Sequence, residues 1–525
     1  MPQRPTREMA WALGAAAQTQ EYVKGRTVLT GSIKRSIWKI SWPLLLVSAC
    51  TAVIDLYHVQ CAGHISAGSQ AIIGICDQIL SLGYILIAGL ASSASAFVSR
   101  AAGQEDEPAI LQTSAQCLVL CLLLGFILSF LILSFGRNAL IPFSGCVDDC
   151  TNTLSGGTQY LAVASFTLIP FAILSAVNSC FMGLAQGRVQ LVSMLTLTAF
   201  DILLNYLLVF CSWPVSGLGI QAIAISTLIA YSLSALIALI FLFSSRLKSC
   251  LSSLLQKEFS LAISIAKSGL PPALQEMAWT AGAFVLYLIL GMADDSTQVV
   301  AALNVGQRLE SFAFVPLSAL ATALLVICGQ NLGAGRNDRA RKSSMLALFL
   351  GSALMLLAGI TFFVFAENLA LSCQASVQTV PHIAAYLRIA ALGLAFVGFE
   401  TILSGPLQAL DDTKILLIAG FVSNWLLCLP LAYLLAITLS LGSLGVFYAI
   451  LAANLVSGLI ILLRFLSRPQ WRSAGNSALE PAPALRWQTS TLSQDSLSEP
   501  VSRGRPCVEL QKPSLEPEHD ENEPL

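Results

Sequence analysis

Twelve stretches of mainly apolar residues, each about 20 long, constrain this chain more than any motif in it. They centre near residues 47, 85, 122, 170, 201, 230, 276, 313, 355, 395, 426 and 454. Hydrocarbon offers no partner to a bare N–H or C=O, so such a stretch crosses a bilayer only as a helix that satisfies its own backbone. Composition agrees: 56% of the 525 residues are apolar and 11% charged, against about 25% charged in a soluble domain. The fold class that follows is an all-α polytopic membrane protein with twelve transmembrane helices. A net charge of -1 argues neither way on a nucleic-acid partner, but the scarcity of basic clusters argues against one.

Lys and Arg orient the spans, because they concentrate in cytoplasmic loops. Lys24, Arg26, Lys34 and Arg35 precede span one, Arg100 follows span two, and Arg188 follows span four. Arg246, Lys248 and Lys257 follow span six, and Arg336, Arg339, Arg341 and Lys342 follow span eight. Lys414 follows span ten, and Arg464, Arg468 and Arg472 follow span twelve. In the alternate loops Arg137 is the clearest exception. Both termini are therefore expected in the cytoplasm, with the chain in the plasma (inner) membrane.

The short N-terminal patch MAWALGAAA is not read as a cleaved signal. Residues 468–525, rich in Ser, Pro and Glu, are expected to form a disordered cytoplasmic tail. Cys146 and Cys150 share a polar loop and can form a disulfide if it faces an oxidising compartment.

The chain also repeats itself after roughly 225–230 residues. DQILSLGYILIAGLASSASAFVSRAAGQED aligns with QRLESFAFVPLSALATALLVICGQNLGAGRND, and SGLGIQAIAIS echoes GSLGVFYAILA. Six spans per unit make the repeats parallel rather than inverted. The expected organisation is a cytoplasmic segment 1–36, an N-lobe 37–245, a linker 246–260, a C-lobe 261–467 and the tail. Two such lobes enclose a cavity between them, the usual position of a transport site.

The order of TAVIDLYHVQCAGH, RAAGQED, LNYLLVF with GLGIQAIAIST, GQNLGAGRNDRAR and SGPLQALDDTK resembles the multidrug and toxic compound extrusion (MATE) family. That family lies within the multidrug/oligosaccharidyl-lipid/polysaccharide superfamily. The resemblance covers about residues 30–467. It implies a V-shaped pair of six-helix lobes that expels small organic compounds in exchange for H+ or Na+.

Ionisable residues within spans are functional candidates, since each is costly in hydrocarbon. Helical spacing groups Ser48, Thr51 and Asp55 on span one, Ser175 and Asn178 on span four, and Thr198, Asp201 and Asn205 on span five. Converging, these stripes would form a cation-coupling pocket of Asp55, Asp201, Asn205 and Asn178, with a proton or Na+ at Asp55 and Asp201. The resemblance supports Asp55, which matches the acidic residue of the family's first span. On span five, Asp201 precedes Asn205, whereas relatives often place Asn first. Glu276, Glu310, Glu400 and Arg308 form a possible second-lobe substrate or cation site. Glu276 and Glu400 each lie about one helical turn from the acidic position that family members carry.

Asp77 has the simpler reading of reaching the membrane interface, and His58 and His64 that of ordinary residues in an outside turn. The alternative function is a flippase for a lipid-linked or polysaccharide precursor. Its pyrophosphate cargo calls for a cationic cavity, whereas Arg308 and Arg388 are here balanced by at least as many acids. No nucleotide loop, metal spacing or nucleophile motif suggests an enzyme. No cofactor beyond the coupling ion and no structural metal is expected. The partners are a small organic substrate and the lipid bilayer, and the protein is expected to be a monomer.

Overall fold

The computed structural model describes residues 26–65, 67–141, 150–211, 219–250, 259–291, 296–372 and 379–468. Cys146, the N-terminal patch and the tail beyond Arg468 fall outside the described residues.

Twelve helices are long and apolar enough to cross a membrane. The N-lobe holds Ile33–Ile65, Ile72–Gln104, Glu107–Leu140, Ser155–Gly183, Gly187–Phe210 and Gln221–Ser244. The C-lobe holds Ser260–Leu290, Ala302–Gly333, Asn337–Val364, Val380–Ala409, Lys414–Thr438 and Ser443–Ser467. No strand occurs among the described residues. Span seven continues as helix through Pro271 and Pro272; packing against neighbouring helices lets membrane helices carry proline.

The repeat read from sequence is a repeat of packing. Span one packs on five, two on three and four, four on three and six, and five on six. The same pairs recur six spans later: seven on eleven, eight on nine and ten, ten on nine and twelve, and eleven on twelve. Four turns repeat it in the backbone. Glu105, Ala185 and Asp411 have φ of 59°, 62° and 61°, and Gly335 has 71°. At each turn the next N–H reaches back five residues: Asp106 to Ala101 O, Gln186 to Phe181 O, Arg336 to Asn331 O and Asp412 to Leu407 O. These are Schellman closures, which supply partners for helix-end carbonyls. Three of the four use a non-glycine residue in left-handed backbone.

The lobes meet chiefly where span two crosses spans seven and eight and span one crosses span eight. Glycine permits the closest approaches. A Cβ on Gly103 would collide with the Gln330 carbonyl, and one on Gly333 with the Arg100 carbonyl. Gly89 and Gly269 face each other in the same way. Ser92 donates to Gln408 at 2.8 Å, Ser93 to Ile265 O at 2.9 Å, and the Gln330 amide to Gly183 O at 3.0 Å. Arg336 donates to Leu29 O at 2.8 Å and Arg339 to Val28 O at 3.0 Å, tying the segment before span one to the C-lobe. Among the described residues these contacts run from the end bearing the basic turns to Ser48 and Ser318 near mid-span, 3.4 Å apart.

At that same end Asp412, in the turn after span ten, receives Arg464 Nε at 2.8 Å and Arg468 Nε at 2.8 Å. Burial pushes the Asp412 carboxyl up, but the hydrogen bonds and charges of Arg464 and Arg468 outweigh it and hold it below the usual range.

Two predictions follow from these contacts. Gly103→Ala overpacks the crossing of spans two and eight, at a cost of about 1–3 kcal/mol, so the melting temperature of the purified protein falls. Asp412 has a depressed folded-state pKa, so its stabilisation is complete above its unfolded value of about 3.9 and is lost as pH falls through the folded value. The melting temperature of Asp412→Asn therefore lies below that of wild type at neutral pH, and the gap narrows below about pH 4.

Candidate functional site

The most buried carboxylate in a span is Asp201, whose side chain is 1% exposed. It lies on span five, one turn before the last α-helical residue, Asn205. His58 of span one covers it: imidazole Nε2 is 2.7 Å from Asp201 Oδ2, and the His58 side chain is 20% exposed. The hydroxyl of Thr227, on span six, donates to Asp201 Oδ1 at 3.2 Å. Asn205 Nδ2 donates to the Asp201 carbonyl at 2.9 Å, and the Ser226 hydroxyl donates to Asn205 Oδ1 at 2.7 Å. Spans one, five and six are thus joined through a single carboxylate. A π-helical turn, Tyr206–Phe210, begins immediately after Asn205. Such bulges insert an extra residue into the helical ladder and often occur at functional positions.

His58 was expected in an outside turn, and the structure overturns that reading. Ile33–Ile65 is one continuous helix, so His58 lies on the helix of span one and not in a turn. Its signal was present in VIDLYHVQ, three residues after Asp55 and therefore on the same helical face. What the spacing lacked was the partner, 143 positions away. Asp55 itself is exposed and interacts electrostatically with His58. Asp77 of span two interacts with both Asp55 and His58, and accepts a hydrogen bond from Tyr160 OH of span four at 3.1 Å. Asp77 is thus tied across the lobe by Tyr160.

The three polar stripes do not converge as whole stripes. Thr51 and Thr198 hydroxyls donate to carbonyls four residues back in their own helices, Val47 O and Met194 O. Ser48 turns to Ser318 of the other lobe. Only Asp201 and Asn205 enter the network with His58. Asn178 is apart from it, its buried Oδ1 lacking a hydrogen-bond partner among the described residues.

The second-lobe candidates fall into two groups. Glu310 accepts from Tyr386 OH at 2.8 Å. Glu400 accepts from Gln275 Nε2 at 3.0 Å and from Ser457 at 2.5 Å, and Glu276 is its electrostatic neighbour. Tyr386 and Glu400 are both on span ten, fourteen residues and so about 21 Å apart along the axis. Glu276 and Arg308 are exposed, and their side chains make no hydrogen bond among the described residues. Arg388, also on span ten, pairs with Glu367 at 2.9 Å.

One feature of the repeat extends to these sites. Tyr160 and Tyr386 occupy matching positions on spans four and ten, and each donates to a carboxylate on the lobe's second helix, Asp77 or Glu310. No group of three or more His, Cys, Asp or Glu side chains arranged to hold a metal ion occurs among the described residues.

The family model MatE matches residues 43–207 and 271–434, one segment in each lobe. The chain is 25% identical over 475 residues to the probable multidrug resistance protein NorM of Synechocystis sp., covering 87% of this chain and 96% of that protein. It is 20% identical to the probable NorM of Thermotoga maritima, covering 83% and 92%. Among solved structures it is similar to a multidrug resistance MATE family transporter of the MOP superfamily in its outward-facing conformation. There the TM-score is 0.76 at 18% identity, over 84% of this chain and 96% of that one.

Tyr386→Phe strands the Glu310 carboxylate without its hydroxyl donor. Removing one partner of a buried hydrogen bond costs about 1–3 kcal/mol, so the variant melts at a lower temperature. In Tyr386→Phe/Glu310→Gln, where the lost donor no longer faces a carboxylate, much of that loss is recovered, as a double-mutant cycle measures.

Proposed function

The chain belongs to the MatE family, and from that premise we propose that it is a secondary active exporter of small organic compounds. It moves them out of the cell in exchange for a cation, H+ or Na+, by alternating access of its two lobes. One observation carries this reading. A set of ionisable residues, Asp55, His58, Asp77 and Asp201, gathers within one lobe, joined by a hydrogen bond and by charge. In a membrane span such groups are costly unless they have a task or a partner. Cation binding at Asp55 and Asp201 changes the charge of the N-lobe and hence its fit to the C-lobe.

The lobe contacts support the same reading. Those described cluster between mid-span and the basic end, which the positive-inside rule assigns to the cytoplasm. The resulting state is closed on that side. Both termini are then cytoplasmic, the membrane is the plasma membrane, and the working unit is one chain in the bilayer. Glu276 and Glu400 present acidic groups in the C-lobe for a cationic substrate, while Glu310, tied to Tyr386, has a structural part.

Reconstituted transport tests this reading. The full chain in proteoliposomes is expected to move ethidium, an organic cation, against its gradient when a proton or sodium gradient is imposed. Coupling free energies between sites are typically about 1–3 kcal/mol, or about 5–150-fold, so Asp55→Asn should lose at least about fivefold of the gradient-driven rate. Equal gradient dependence in Asp55→Asn and wild type would refute the role of Asp55. Movement of a lipid-linked pyrophosphate instead of ethidium would favour the flippase.

A further inference from the structure

We propose that the coupling proton is held on His58, and that the His58–Asp201 pair thereby selects a proton over a sodium ion. The inference rests on the exporter reading and names its coupling ion and the residue that carries it.

The hydrogen-bond inventory comes first. An ionised carboxylate only accepts, so with Asp201 ionised the His58 nitrogen 2.7 Å from Oδ2 must carry the hydrogen. Nε2 is thus the donor, and Nδ1 keeps the free lone pair. An incoming proton bonds to Nδ1, and no other bond breaks. The pair passes from a net charge of −1 to zero as an imidazolium–carboxylate ion pair. Access agrees with this order, since His58 is 20% exposed and Asp201 only 1%. The imidazole covers the carboxylate.

Sodium fares differently at the same atoms. A hard cation is held by oxygen lone pairs. Asp201 Oδ2 already faces the His58 N–H, Oδ1 the Thr227 hydroxyl, the Asp201 carbonyl the Asn205 amide, and Asn205 Oδ1 the Ser226 hydroxyl. Every one of these four oxygens faces a hydrogen-bond donor. A sodium ion would compete with those donors for the remaining lone pairs and would sit against an imidazole, a nitrogen ligand better suited to softer transition metals.

The charged and titratable groups around His58 come from three helices. Asp201 of span five touches it, Asp55 shares its own helix, and Asp77 of span two interacts at longer range. From span six the neighbour of the pair is Thr227, which does not titrate in this range. All the surrounding charges are carboxylates. An imidazolium therefore balances charge already present, whereas a neutral imidazole leaves the lobe with excess negative charge. Proton loading at His58 thus alters the attraction among spans one, two and five, the helices that carry these groups.

Proton uptake by the purified full-length protein tests this. In potentiometric titration from about pH 8 to about pH 5, the range in which histidine ordinarily titrates, wild type is expected to take up one proton more than His58→Gln. The uptake by wild type should be the same in sodium chloride as in potassium chloride. Equal uptake by wild type and His58→Gln would overturn the assignment. So would suppression of the wild-type uptake by sodium relative to potassium, a comparison that needs no variant to fold. In proteoliposomes, a pH gradient without sodium should drive ethidium in wild type, and His58→Gln should lose at least about fivefold of that rate. Wild-type transport driven by sodium alone would also overturn the proposal. If His58 takes up its proton but no gradient moves ethidium, the exporter reading fails and the assignment of the proton stands.

Discussion

Hydrocarbon solvates neither a peptide group nor a carboxylate, and most of this structure answers that one constraint. The backbone answers it by helix formation, through twelve spans and four Schellman turns that close helix-end carbonyls internally. The hydroxyls answer it locally: Thr51, Thr198 and many serines donate to a carbonyl three or four residues back. The carboxylates cannot, because they need donors and their own helix has none to spare. Asp201, Asp77, Glu310 and Glu400 therefore reach across to His58 and Thr227, Tyr160, Tyr386, and Gln275 with Ser457. The cross-links between helices are placed where the acids are.

The two lobes share a scaffold and differ in what they do with it. Their helix pairs, left-handed turns and tyrosine–carboxylate bonds repeat. The His58–Asp201 pair lies in the N-lobe, while the C-lobe holds a glutamate among neutral donors. Both lobes interrupt their fifth helix with a π-helical turn, Tyr206–Phe210 after Asn205 and Val422–Cys428 around Asn424. In the C-lobe that turn packs on span seven, where Gly282 leaves room for Asn424 and the Trp425 indole donates to Ala278 O at 3.0 Å. The duplicated bend serves a polar network in one half and helix packing in the other.

The glycine contacts at the basic end give the lobe interface a different chemistry from the lobe interiors. Backbone meets backbone at Gly103, Gly333, Gly89 and Gly269, with serine and glutamine side chains bonding alongside. Small residues of this kind let membrane helices approach closely. Breaking them sacrifices packing, several neutral hydrogen bonds and the guanidinium bonds of Arg336 and Arg339 to Leu29 O and Val28 O.

The number of spans and the two-lobed repeat were legible in the sequence because each depends on a local or averaged property. Apolar length sets the spans, and self-similarity sets the repeat. Asp55 and Asp201 were legible as candidates because a charge in an apolar run is conspicuous, and Asn205 by its helical spacing from Asp201. The partners of the individual groups were decided only by tertiary structure. Helical spacing places Asp55 and His58 on one face but says nothing of what faces them. Packing of span one on span five brings His58 to Asp201, a residue 143 positions away. Packing likewise ties Asp77 to Tyr160, leaves Asn178 outside the network, and separates Glu310 from Glu400. A polar side chain in a bilayer is defined by its partner, and the partner is chosen by which helices touch.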